Sequence, residues 1–225
     1  MFGTVLLYAA VSLVVSFLLG SIPWGLIISK VFYKVDVREH GSGNIGTTNA
    51  VRTLGKAGGI AVFVLDFLKG MASGLVGYLC AVFCVYALQT DSVTSSHLLG
   101  LVMGLAFLGC VGGHIYSPWL KFKGGKGIAV AVGCIFLVFG PFLALVELGV
   151  FVILVVATRY VSVGSIAAAV VCPLIAWWAS SGEPVFITIC TLTALLIIWA
   201  HRGNINRLRA GTENRLGKFG GAKAK

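Results

Sequence analysis

Of 225 residues, 58% are hydrophobic and 11% charged, against roughly 45–50% and 25% in soluble domains. A chain this apolar cannot cover its own surface in water, and disorder requires the opposite bias, so a soluble globular enzyme and a disordered chain are both excluded. The formal net charge of +10 would point to nucleic acid in a soluble protein, so here it has to be read by where it falls along the chain.

Apolar runs are predicted at residues 5–29, 60–88, 98–117, 128–140, 142–158, 164–179 and 185–200. A hydrocarbon core of about 30 Å takes roughly 20 helical residues, which the first three runs supply. The last two are a little short but bounded by polar residues. The stretch 128–158 would make one helix of about 46 Å, and Gly140-Pro141 divides it, because proline cannot continue the hydrogen-bond ladder. With that break, segments 30–59, 118–127, 159–163 and 201–225 share one side and carry 16 of the 17 Lys and Arg, Lys69 alone lying within a span. The opposite loops carry none. Basic loops face the cytoplasm, so the expectation is an all-α membrane protein, a single domain over 1–225. It would have seven transmembrane helices, N-terminus outside and C-terminus cytoplasmic, the fourth and fifth short or tilted. No basic residue precedes the first run while Lys30, Lys34 and Arg38 follow it, the pattern of a retained helix rather than a cleaved leader. Many of the 30 glycines lie in the apolar runs, which suits closely packed helices. The six cysteines lie in apolar runs without a CxxC pair. They read as small packing residues rather than as a disulfide framework or a zinc site.

The basic side also concentrates glycine, hydroxyl and amide residues, in three segments. The first is Gly41-Ser42-Gly43-Asn44-Ile45-Gly46-Thr47-Thr48-Asn49-Ala50-Val51-Arg52. It contains GxGxxG, but a charged stretch precedes it and a membrane span follows. A dinucleotide fingerprint needs a buried strand before and a soluble helix after. Glycine backbone that turns N–H groups toward an anion, with Ser42, Asn44 and the planar fork of Arg52, points instead to phosphate. The second segment is Lys121-Phe122-Lys123-Gly124-Gly125-Lys126-Gly127, directly before the fourth helix. It lacks the GxxxxGK[ST] spacing of a P-loop, yet glycine-rich backbone at a helix N-terminus beside lysines is a related anion site. The third runs from His201 to Arg215, with Asn204 three residues after His201 and Glu213 the one acid of a basic tail. That carboxylate is expected either to hold basic side chains or to bind a substrate hydroxyl.

Elsewhere, Asp66 and Lys69 at i, i+3 are expected to neutralise each other inside the second helix. His114 is expected to bond a backbone carbonyl or to line the site. His97 and Asp91 read as external loop residues without partners, His40 stays ambiguous, and Glu147 reads as a helix-terminus residue. With so few ionisable groups deep in the membrane, a proton-coupled pump has little to work with.

Taken together, Gly20-Ser21-Ile22-Pro23, GSGNIGTTNAVRTLG (41–55), LDFLKG (65–70), GHIYSPWLKFKGGKGIA (113–129) and HRGNINRLRAGTEN (201–214) resemble the bacterial acyl-phosphate:glycerol-3-phosphate acyltransferases over nearly the whole chain. Two positions depart from the usual pattern: Thr47 stands where alanine is common, and Val130 where threonine is. The resemblance implies a multi-pass enzyme of phospholipid synthesis in the bacterial inner membrane, its active site facing the cytoplasm. It would transfer a fatty acyl group from acyl phosphate to glycerol 3-phosphate, releasing lysophosphatidate and phosphate. A soluble enzyme would make the donor, and neither acyl-CoA nor acyl-carrier protein would serve; the carboxylates and histidines are too few and scattered for a metal, and no cofactor or nucleic acid is expected. By position it implies catalytic roles for Ser42, His201 and Asn204. Substrate-binding roles fall to Asn44, Arg52, Lys121, Gly124, Gly125, Lys126, Gly127 and Glu213. The proton acceptor is His201 or the donor's own phosphate. The rival class, a transporter of a phosphorylated anion, predicts polar residues at broken helices near the bilayer midplane, where this sequence has few.

Overall fold

The computed structural model describes residues 1–217; Lys218, Lys223 and Lys225 of the basic tail lie outside the described residues. Helices run α1 Phe2–Ser21, α2 Trp24–Phe32, α3 Thr47–Leu88, α4 Ser92–Ile115, α5 Ile128–Val138, α6 Pro141–Thr158, α7 Val161–Ala179, α8 Pro184–Ala200 and α9 Arg202–Arg209. No strand occurs among the described residues. Five helical stretches are long and apolar enough to cross a bilayer. There are six if α8 and α9, bent by 54° to one another, are counted as one. The 11-residue α5 falls short of that length.

Small residues set the close helix pairs. One face of α1 buries Ala9, Ser12, Ser16 and Gly20 at helical spacing. Opposite it, Gly109 and Gly113 of α4 leave no room for a Cβ, because the carbonyls of Leu13 and Phe17 occupy that space. Ser12 Oγ donates to Val102 O at 2.8 Å, so each hydroxyl buried here is satisfied without water. The pair α3–α5 follows the same rule, Gly70 lying against Val130 O and Gly133 against Phe67 O. Val130 is therefore a fully buried packing residue. All six cysteines are free and buried in the helix interfaces. Leucine, isoleucine and phenylalanine fill the outward faces, for instance Leu6, Leu75, Phe83, Ile153 and Leu174, as lipid contact requires.

Three breaks shape the basic end. Pro23 separates α1 from α2; a proline nitrogen has no proton for the ladder. Gly55, at φ 80 and ψ −178, divides α3 into a short helix from Thr47 and the long one that follows. The helix thus starts 13 residues before the expected 60, the number following from the Thr47 boundary. Gly140, at φ 81, caps α6 with Pro141 as its first residue.

Several single-residue expectations are corrected. Glu147 is no terminus residue: it lies in the body of α6, buried, with Oε2 unpartnered among the described residues. His97 has a partner, Glu183 Oε1 at 2.9 Å, and that carboxylate also caps α8 by accepting from Val185 and Phe186 N–H. Asp91 caps α4 by accepting from Val93 and Thr94 N–H. These roles depend on tertiary contact or on a helix boundary, and neither is visible in a loop's composition.

Candidate functional site

The loop before α3 is organised by Asn49, only 2% exposed. Its Nδ2 lies within hydrogen-bond distance of the carbonyls of Val37, His40 and Asn44, and its Oδ1 accepts the Ser42 N–H at 2.8 Å. Asn44 Oδ1 in turn accepts the Gly46 N–H at 2.9 Å. This wrapping presents the start of α3, and Thr48 and Arg52 share its face at i, i+4. The Ser42 hydroxyl has no partner among the described residues.

The second loop folds tightly onto the end of α4. Gly124 N–H donates to Ile115 O and Gly125 N–H to His114 O, at 2.9 and 3.1 Å. Both N–H groups are spent on backbone, and a Cβ on either glycine would overlap His114. Gly124 and Gly125 are therefore close-packing residues, and they fall outside the cavity described below. Lys121 is exposed and also falls outside it; it caps a single 3-10 turn, Pro118–Leu120. The expected glycine cradle is replaced by the N-terminus of α5, where Gly127 at φ 83 is the cap. The N–H groups of a helix's first turn have no intrahelical acceptor.

The third segment turns at His201, which ends α8 and starts α9. His201 and Asn204 are both buried. His201 Nδ1 lies 2.8 Å from Ile197 O. A carbonyl only accepts, so Nδ1 carries the proton and Nε2 is the accepting nitrogen. Burial, with Lys126 nearby, pushes the His201 pKa down to about 4, so the ring is neutral above that pH. Glu213 accepts from Asn204 Nδ2 at 2.7 Å, Arg207 Nε at 2.7 Å and Ser162 Oγ at 3.0 Å. Burial would raise this carboxyl, but the three hydrogen bonds outweigh it and hold the pKa below the usual value. Of the two roles expected for Glu213, the geometry favours the holding one. With its Nδ2 engaged, Asn204 keeps its amide oxygen for a ligand.

The three segments meet at one cavity of about 320 Å³. It is lined by Ser42, Asn44, Arg52, Lys126, Gly127, His201, Asn204 and Glu213, that is, by every expected site residue except Lys121, Gly124 and Gly125. Asn49, Ser162, Arg207 and Asn214 line it too, as do the buried Asp66 and His114. Of these, Asn49 and Arg207 stood inside the motifs, whereas Ser162 carries no sequence signal because its partner Glu213 is 51 residues away. Arg52 and Lys126 form no ion pair among the described residues. Burial, then Arg207 and Arg52, bring the Lys126 pKa down to about 8, Glu213 partly offsetting them. The starts of α3 and α5 add two positive dipole ends. Another part of the wall is apolar: Phe63, Val132, Leu148 and Phe151. A smaller, mostly apolar cavity with Glu147 on its wall shares Ile128, Val132, Leu148, Phe151 and Ser165 with it and reaches Phe107, Ile135 and Cys172. With cations on one part of its wall and apolar side chains on another, the recess fits an amphiphile with an anionic head.

The comparisons agree with this chemistry. A family model described as "Glycerol-3-phosphate acyltransferase" matches residues 10–211. A protein of that name from Rhodopseudomonas palustris (strain BisB5) is 39% identical over 207 residues, 92% of this chain and 95% of that protein. The crystal structure of PlsY (YgiH), an integral membrane glycerol 3-phosphate acyltransferase, in its glycerol 3-phosphate form superposes with a TM-score of 0.74. It shares 38% identity over 93% of this chain and 96% of that one. Its lysphosphatidic acid form gives a TM-score of 0.70 at 36% identity, over 95% of each chain.

Proposed function

Because the chain belongs to the glycerol-3-phosphate acyltransferase family, and is thus a multi-pass membrane acyltransferase of phospholipid synthesis, we propose that its donor is acyl phosphate and its products are lysophosphatidate and inorganic phosphate. One observation carries this reading: two cations outside any ion pair among the described residues, Arg52 and Lys126, and two helix N-termini converge on a cavity whose wall is otherwise partly apolar. An acyl phosphate has that distribution, an anionic head joined to an alkyl chain. Glycerol 3-phosphate adds a second anionic group and a hydroxyl. The glycerol 3-phosphate and lysphosphatidic acid forms of PlsY support the acceptor and product side.

In the proposed reaction the glycerol hydroxyl oxygen attacks the acyl carbonyl carbon, and the carbon–oxygen bond to phosphate breaks. The mixed anhydride already has a good leaving group, so the protein's work is alignment and charge stabilisation. Arg52 and Lys126 hold phosphates, the Ser42 hydroxyl and free N–H groups steady the carbonyl oxyanion, and the Asn204 oxygen orients the hydroxyl. His201, with its low pKa, is a weak proton acceptor. The second ionisation of a phosphate lies near 6, so the departing phosphate is the better base, and the hydroxyl proton goes to it. The Glu213 network ties α9 to the start of α7 and fixes Asn204 and Arg207.

We keep seven crossings for the bilayer. The α5 helix is about 16 Å long and starts inside the recess rather than at the membrane surface, so it completes its crossing with fewer residues. The recess opens toward the basic, cytoplasmic side, in the bacterial inner membrane, where a soluble enzyme would supply the donor. The test is purified protein offered acyl phosphate or acyl-CoA with labelled glycerol 3-phosphate. Phosphate and lysophosphatidate should appear in equal amounts from acyl phosphate alone; equal rates from acyl-CoA would defeat the donor assignment.

A further inference from the structure

Lys69 in α3 is only 5% exposed. A lysine ammonium has three protons to donate and nothing to accept with. Three acceptors surround it: Asp66 Oδ1 at 2.7 Å, Ile22 O at 2.6 Å and His114 Nδ1 at 3.0 Å. Neutralising Asp66 takes one of these contacts. The other two reach pieces of chain that build the site. Ile22 lies in the break between α1 and α2, and α2 packs on the first loop, where Gly25 leaves no room for a Cβ beside Ile45 O. His114 lies in the last turn of α4.

Since the ammonium can only donate, His114 Nδ1 accepts and the ring proton sits on Nε2. That edge of the ring lies against Gly125, where a Cβ would overlap Nε2. The His114 carbonyl holds the Gly125 N–H at 3.1 Å. The next residue is Lys126. We propose that Lys69 is a positioning residue for acyl transfer, one that holds His114 against Gly125 and so sets where Lys126 delivers its charge. This rests on the reading of the cavity as a phosphate site. Two hydrogen bonds into two other elements, beside the ion pair within α3 itself, are more than charge balance requires, and each would be lost if α1–α2 or α4 shifted against α3.

The test separates positioning from mere structural support. In Lys69→Met the KM for acyl phosphate should rise about tenfold while kcat changes about threefold or less. The alkaline limb of kcat/KM should also move up by about one pH unit. That shift follows because Lys126 would relax toward solvent, away from Arg52 of α3, Arg207 of α9, Glu213 of the tail and the neutral His201 after α8. Because Lys69→Met leaves Asp66 uncompensated and can unfold the bundle, Gly125→Ala approaches the same contact from its other side with the ion pair intact. It should reproduce both changes. A folded Gly125→Ala or Lys69→Met enzyme with wild-type KM and an unmoved limb overturns the proposal. If instead Lys126→Met itself leaves kcat/KM unchanged, it is the phosphate-site reading that has failed.

Discussion

At the scale of single residues, Lys126 is the most informative group. Its burial among other cations brings its pKa to about 8, so it is charged below that pH and loses its proton above it. The proposed site therefore loses kcat/KM above about pH 8, roughly tenfold per unit, and Lys126→Arg, whose guanidinium stays charged, should abolish this limb. A bound phosphate favours the charged amine, so the corresponding limb in kcat should lie at higher pH. Steady-state kinetics from pH 6 to 10 measure both. His201 is neutral throughout that range and adds no limb. If the departing phosphate takes the proton, His201→Ala should cost less than about 10²-fold in kcat, the lower end of general-base effects; a larger loss returns the role to the histidine. Glu213→Ala releases Asn204, Arg207 and Ser162 together, and should lower kcat/KM by about 10–100-fold through lost alignment.

At the scale of elements, the helix breaks matter more than the helix lengths. The long helix α3 reads in sequence only as an apolar span from residue 60. Its first turns are polar, and they form because Asn49 and Asn44 wrap the loop into a start signal. Gly55 then redirects the chain, in a conformation with φ 80 and ψ −178 that is essentially restricted to glycine. Gly55→Ala should cost about 1–3 kcal/mol in thermal stability and raise the KM for phosphorylated substrates, because Arg52 sits just before the break. Thermal unfolding and kinetics of the same preparation check it; an unchanged Tm and KM would mean the break is not needed to aim Arg52. The break at Gly140-Pro141 was legible because proline's chemistry is local. The second glycine segment reads in sequence as a cradle, but only Lys126 and Gly127 of it line the cavity. Gly124 and Gly125 look like cradle residues in sequence, while their actual use, close packing on His114, depends on a helix more than a turn away. Ser162 and Glu147 were illegible for the same reason, since tertiary contact and burial leave no mark on local composition.

At the scale of the whole molecule, composition and the one-sided placement of basic residues were enough for an all-helical membrane protein. Motif order was enough for the family, which the comparisons bear out. The convergence of three segments, separated by up to 160 residues in sequence, is a property of the packed bundle: α1 against α4 and α3 against α5 through glycine faces, and α9 against α7 through Glu213. The central claim is that Arg52 and Lys126 act together on one anionic centre in that shared cavity. A double-mutant cycle on kcat/KM with acyl phosphate and glycerol 3-phosphate tests it most directly. Arg52→Ala and Lys126→Ala should each cost about 10²-fold or more, and the double variant far less than the product of the two losses. Strictly multiplicative losses, or a single variant with wild-type kcat/KM, would contradict it.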